Sequence, residues 1–142
     1  MINPPFRSPR TKVCGLYHFG RMIDKIRADL SGCLPEEYRP NFGLSIGLDG
    51  HLCGFLGVEF TEVVEQIRQS LSDEEVLEWC FQNGLRPNAV QKGVWNGFAY
   101  KFGWRDRAAR FIAKVKEEDG MSDRDDILTS FDSIDEREGR GF

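Results

Sequence analysis

A chain of 142 residues, 40% apolar and 30% charged, has the composition of an ordinary soluble globular protein and is long enough for one domain with a real core. A net charge of −4 and an isoelectric point near 5.2 argue against a general nucleic-acid binder. No apolar run approaches the ~20 residues that span a bilayer, and the opening MINPPFRSPRTK lacks the apolar core of an export signal, so the expectation is a cytoplasmic protein with no membrane partner.

Charge is unevenly spread. Residues 1–30 carry six basic side chains against two acidic ones, whereas residues 117–142 carry ten acids against three arginines. Such ends can pair within the fold, pair across a homo-oligomer, or leave a solvated tail, which is the commoner outcome. The cysteines Cys14, Cys33, Cys53 and Cys80 contain no Cys-x-x-Cys pair and are read as reduced, mostly buried thiols. A set of Cys14, His18, Cys33 and Cys53 matches no common zinc spacing, so no metal is expected.

Residues 1–14 form an expected extended arm, because Pro4, Pro5 and Pro9 remove backbone donors and disfavour helix before them; Phe6 is its plausible anchor. The first helix is predicted from about Tyr17 to Leu30, with Met22, Ile23, Ile26 and Leu30 on one stripe and Gly32 just past its end. From Cys33 to Gly50 the pattern weakens. Pro35 can open a helical turn, and Pro40, Gly43, Gly47 and Asp49-Gly50 punctuate an irregular loop over 33–50. A short helix over His51–Leu56 follows, closed by Gly57.

Phe60, Val63, Val64, Ile67 and Leu71 mark an amphipathic helix. Ser72-Asp73-Glu74-Glu75 is a capping box that starts a helix with Val76, Leu77, Cys80 and Phe81 inward, ended by Asn83-Gly84. The next helix is predicted over Asn88–Phe102, with Val90, Val94, Trp95, Phe98 and Phe102 on its inner face. Its Gly93 and Gly97 could admit a neighbouring helix. Asp106 is a candidate cap for a helix carrying Ala108, Phe111, Ile112 and Val115, and Ser122-x-x-Asp125 is a second capping-box start leading to Ile127, Leu128, Phe131 and Ile134. Asp135 to Phe142 is expected to fray. The sum is an all-α, compact single-domain bundle of about six helices over 15–135, with an N-terminal arm over 1–14 and a flexible acidic tail over 136–142.

Several ordered segments carry a resemblance: GLYHFGRMIDKIR, LPEEYRPNFG, SDEEVLEWCFQNG, VWNGF, GWRD, and DRDDI with SFDSIDEREGR. Together, over residues 6–140, they resemble the bacterial family catalogued as domain of unknown function 5069. The resemblance implies a single-domain cytoplasmic bacterial protein and brings no established activity, cofactor or catalytic set. Two stretches depart from the family pattern, His51-Leu-Cys-Gly54 and Tyr100-Lys-Phe102, which are less basic here.

Three clusters could carry chemistry. His18, Arg21 and Lys25 share a helix face with Asp24 beside them; such a strip can hold a carboxylate or phosphate, or be a solvated face with internal pairs. Trp95-Asn96 and Trp104-Arg105-Asp106 combine aromatic surface with a polar rim, as a small-ligand pocket does, and equally suit a core cluster with a surface ion pair. Asp123, Asp125 and Asp126 are explained by helix capping and lack the spacing of a calcium loop. No phosphate loop, H-E-x-x-H or G-x-S-x-G motif is present, and no cofactor is implied. The function expected is binding of a small molecule or protein partner without catalysis. The alternative is an enzyme of unrecognised type with a site around His18, Arg21, Asp24 and Trp95.

Overall fold

The apolar stripe of the first helix becomes the centre of the core. A computed structural model describes residues 6–142, and in it Phe19, Met22, Ile23 and Ile26 of α1 (Phe19–Leu30) are fully buried. Pro4 and Pro5 of the expected arm lie outside the described residues. Among the described residues there are seven α-helices and one 3-10 helix, and the only β pairing is an isolated bridge between Val13 and Leu16. The all-α reading holds; the count of about six is slightly low.

The difference arises in the 33–50 segment, which is more ordered than its proline and glycine content suggests. Residues Glu36–Asn41 form the 3-10 helix, with Pro35 as its cap and not its first residue. α2 (Leu48–Leu56) begins three residues earlier than expected. Asp49-Gly50 reads locally as a turn, yet it forms the first turn of α2, because Asp49 pairs with Lys25 on α1 and with His18 just before it, and Gly50 fits against the backbone of Ser45.

α3 (Phe60–Arg68) follows, and α4 (Asp73–Asn83) opens with the expected box: Glu75 N donates to Ser72 Oγ at 3.2 Å and Ser72 N donates to Glu75 Oε1 at 2.9 Å. α5 (Ala89–Lys101) is capped by Asn88 in the same reciprocal way with Gln91. Its inner face differs from the expected one. Trp95 is buried as expected, and Ala99 with it, whereas Val90 and Val94 are 75% and 64% exposed and Phe98 is also exposed. Gly93 and Gly97 likewise face open space, with nothing within 4 Å of an added Cβ. Replacing either by alanine therefore adds helix propensity without a clash. Gly93→Ala and Gly97→Ala should each raise stability by up to about 1 kcal/mol, read as a higher urea midpoint; a lowered midpoint would mean that this face is covered in solution.

α6 (Ala109–Glu118) buries Ile112 and Val115, while Phe111 is exposed. The Ser122-x-x-Asp125 start does not form. Lys116 Nζ donates to the carbonyls of Arg124 and Ile127, holding that segment as turns. The box that does form is Thr129 with Asp132, opening α7 (Ser130–Arg137).

The expected fraying after Asp135 is replaced by docking: Asp135 and Glu138 are buried. The basic arm supplies the reason. Arg10 donates to Asp132 and Asp135, both at 2.7 Å, Ser8 Oγ donates to Asp135 at 2.9 Å, and the Arg140 guanidinium reaches the Phe6 carbonyl. Opposite charges at the two ends thus pair within one chain. Phe6 is buried, as an anchor should be. α1, α3 and α4 pack as one group, α5, α6 and α7 as another, and α2 contacts both α3 and α5. The candidate site lies in the seam.

Candidate functional site

His18 sits where the arm turns into α1, and its backbone is left-handed, with φ 73°. A non-glycine residue there costs on the order of 1–3 kcal/mol and persists only where its surroundings over-determine it. They do so here. His18 N donates to Pro9 O at 2.8 Å, and both sides of the preceding Tyr17 peptide are held by α5: Tyr17 N donates to Asn96 Oδ1 at 3.0 Å, and Trp95 Nε1 donates to Tyr17 O at 3.0 Å. Asn96 Nδ2 also donates to Gly15 O at 2.8 Å.

The side chain is 2% exposed. Its Nε2 lies 2.7 Å from Asp49 Oδ1, whereas Nδ1 is buried and has no hydrogen-bond partner. Asp49, 1% exposed, also accepts from Lys25 Nζ at 2.9 Å and from Gly43 N at 3.0 Å through Oδ2. Burial alone would raise the Asp49 carboxyl, but the Lys25 ammonium and the hydrogen bond from His18 hold it well below the usual carboxylate range. Burial pushes the His18 imidazole below its ordinary value; the bond to Asp49 opposes this, and Lys25 and Arg21 reinforce it. The ring is therefore neutral at physiological pH, and an ionised Asp49 can only accept, so the proton resides on Nε2.

One turn on, Arg21 makes a bidentate pair with Glu138, Nη1 to Oε1 at 2.8 Å and Nη2 to Oε2 at 2.6 Å, and is 3% exposed. Its guanidinium packs against both the Phe6 and Tyr38 rings, which themselves meet edge to face. Tyr38 Oη donates to Glu138 Oε2 at 2.8 Å, and Arg140 completes the cluster. Burial opposes ionisation of Glu138, but the hydrogen bond from Arg21 keeps its carboxyl below the ordinary value. The Tyr38 phenol is pushed up to about 12 by burial and by its bond to Glu138.

These two clusters form the charged end of a cavity of about 590 Å³. Its remaining wall is largely apolar: Leu44, Ile46 and Leu48 before and in α2, Phe98 on α5 and Phe102 just after it, Phe111, Ile112 and Val115 on α6, and Ile134 on α7. Arg107, Asp106, Glu37 and Arg137 stand among them. A volume in the range of drug-sized ligand sites, with apolar walls and a few convergent polar groups, is the usual form of a small-molecule pocket.

The candidate residues separate accordingly. His18, Arg21 and Lys25 line the cavity, and so does Asp106, which does not cap α6 but holds the turn before it by accepting from Gly103 N and Ala108 N, both at 2.9 Å. Asp24 does not; it accepts from Arg7 N at 2.8 Å and from the Arg7 guanidinium at 3.0 Å, tying the arm to α1. Trp95 is buried against Phe55, and Trp95 with Asn96 supports the backbone before His18 without lining the cavity. Trp104 and Arg105 are exposed, with the guanidinium over the indole, and lie outside the cavity wall. The strip of His18, Arg21 and Lys25 is not a solvated face, and its cations are already paired.

Sequence reasoning missed Asp49, Tyr38 and Glu138. Asp49 was hidden in a turn-like dipeptide, whereas Tyr38 and Glu138 lie inside LPEEYRPNFG and SFDSIDEREGR, two of the segments that carry the family resemblance. Of the thiols, Cys53 and Cys80 are buried and pushed up to about 12 by burial, but Cys14 and Cys33 are exposed, contrary to the mostly buried reading. Among the described residues no group of three or more His, Cys, Asp or Glu could hold a metal ion, and no helix is long and apolar enough to cross a membrane.

The buried imidazole has a consequence for pH. In the unfolded chain His18 takes up a proton near pH 6.5, whereas in the folded chain it does so only at lower pH, so the unfolded state binds more protons in that window. Stability should therefore fall as pH drops below about 6.5 toward the lowered native value. Loss of the Glu138 charge should extend the decline below about pH 4.3, as pH falls toward that carboxyl's lowered native value. Urea midpoints followed from about pH 8 to 5 test the first part; a flat profile would show that His18 is free to ionise in the native state.

No curated protein matches the chain. The family model described as Domain of unknown function (DUF5069) matches residues 3–140. With nearly its whole length matched, the chain belongs to the DUF5069 family.

Proposed function

We propose that the chain binds a small molecule in the seam cavity, apolar body against the aromatic and aliphatic wall and polar end toward His18, Arg21 and Lys25. The observation that carries this reading is the joining of a 590 Å³ apolar cavity to a buried, fully paired charge cluster in one continuous wall. A core does not need such space, since protein interiors are packed close to crystal density, and an unfilled apolar cavity costs stability in proportion to its volume. Ligand-observed NMR against a panel of fragment-sized amphiphiles tests it. Hits should compete with one another and disappear in Ser133→Phe, which fills the cavity from α7. An absence of hits, or hits unaffected in a folded Ser133→Phe protein, would sink the reading.

A second reading, an enzyme, is favoured by the hydrogen bond between His18 and Asp49. An imidazole oriented by a carboxylate, with its other nitrogen unpartnered, has the arrangement of a general base. Asp49 takes the part earlier given to Asp24, and Trp95 acts only by supporting the backbone before His18. The two readings part on one measurement: turnover of a bound compound, lost in Asp49→Asn while its binding is retained, selects the enzyme.

A further inference from the structure

Resting on the cavity-binding reading, we propose that the ligand is an amphiphilic anion, a carboxylate in its simplest form. Its charge stands at the exposed mouth of the cavity beside Arg107, and its inner end is uncharged.

The buried end of the cavity has no cation to offer. Arg21 is held by Glu138 at 2.6 and 2.8 Å and Lys25 by Asp49 at 2.9 Å, all buried. A carboxylate entering that far would have to take one of those cations from its partner. Glu138 or Asp49 would then be left ionised, buried and unpaired, which is strongly destabilising. The inner end therefore discriminates against anions.

The mouth has the opposite character. Every arginine outside residues 105–110 has a carboxylate oxygen at 3.1 Å or closer. Among the described residues, Arg105, Arg107 and Arg110 have none, although acids outnumber bases in the chain by 23 to 19. All three are exposed, and so is Lys114, one turn beyond Arg110 on α6. Arg107 lines the cavity. The acids of the wall do little to offset it. Asp49 and Glu138 are ion-paired, and Asp106 accepts from two backbone amides, which leaves only Glu37 uncommitted.

Exposed arginines are often merely solvated, but these flank an apolar opening. Leu44, Ile46, Phe98 and Phe111 line the cavity and are exposed, Ile46 by 74%. Apolar surface and uncompensated positive charge thus meet at one opening, and their joint complement is an apolar body that ends in an anion. The guanidinium fork suits a carboxylate, since it can hold both oxygens at once.

Three probes of one length test this: ω-hydroxyoctanoate, α,ω-octanediol and ω-aminooctanol, titrated into the full chain at about pH 7.5, where the acid is ionised and the amine protonated. The acid should bind about three- to tenfold more tightly than either of the others. Arg107→Gln, at an exposed side chain without a partner, should abolish that preference and leave the diol affinity and the urea midpoint unchanged. Added salt should erode the preference in the unaltered chain. A diol or amine bound as tightly as the acid would overturn the inference, as would a preference retained in Arg107→Gln. Acid binding that survives in a folded Ser133→Phe protein would also overturn it, by placing the anion outside the cavity. Failure of all three probes where the amphiphile panel gives hits overturns the inference alone. If neither the probes nor the panel bind, the cavity-binding reading falls and the inference with it.

Discussion

Asp49→Ala is expected to lower the free energy of unfolding by about 3–5 kcal/mol. Asp49 is the shared acceptor for the His18 ring, the Lys25 ammonium and the Gly43 amide. The Lys25 side chain is 7% exposed, so truncation of its partner leaves an ammonium in the interior without a counter-charge. The loss measured is mainly the cost of that stranded cation and not the net worth of the pair. Asp49→Asn keeps the shape and the hydrogen-bonding oxygen but removes the charge, and should fall between wild type and alanine. The same substitution frees the tautomer of His18, since a side-chain amide can donate as well as accept. Urea unfolding gives the magnitude; a loss below about 1 kcal/mol would place the Lys25–Asp49 pair in the class of solvated surface bridges and contradict its burial.

The second large effect is steric. Gly50→Ala places a Cβ about 2.4 Å from both the Cα and the carbonyl oxygen of Ser45, and 2.5 Å from the carbonyl oxygen of Leu44. All three are backbone atoms, so no rotamer change relieves the clash, and the first turn of α2 must separate from the segment before it. Overpacking of this kind costs about 1–3 kcal/mol. Because Asp49 is the neighbouring residue, the displacement also moves the carboxylate away from His18. Gly54→Ala is the control in the same helix: nothing lies within 4 Å of its added Cβ, and it should stabilise by up to about 1 kcal/mol through helix propensity alone. If both variants shift the urea midpoint in the same direction, the tight approach of α2 to Ser45 is not present in solution.

The contrast between these glycines shows where local reading stops. Gly54, Gly93 and Gly97 read alike in the sequence, each a helix-weakening residue in an apolar-rich stretch, and Gly50 reads as part of a turn before a helix. Gly50 is enforced by a backbone contact and the other three face open space, and no pattern within a window of ten residues marks that contact. The inner face of α5 was misassigned for a related reason. Val90 and Val94 fit a helical period through Trp95 as well as Ala99 does, and the side on which α2 and α7 pack chose between them.

Elements whose cause is local were legible: the apolar stripe of α1, the Ser72–Glu75 box, the stop at Asn83-Gly84, and the all-α class. Each depends on residues three or four apart, where side chain and backbone meet whatever the rest of the chain does. The basic start and acidic end were also legible as complementary charge. Whether they would pair was not, because Arg10 and Asp135 are brought within 2.7 Å only by the return of α7 to the arm.

The site depends most on long-range placement. His18, Arg21 and Lys25 stood out on one helix face, but a face with two cations and an imidazole is a different chemical object once Glu138 and Asp49 are docked on it. Composition determined that this chain could bury a core, and periodicity determined which side of α1 would enter it. Only the tertiary structure decided that the polar side of α1 would be buried too, because its counter-charges come from Asp49 and Glu138, distant in sequence and joined to α1 by the way the two helix groups close around the cavity.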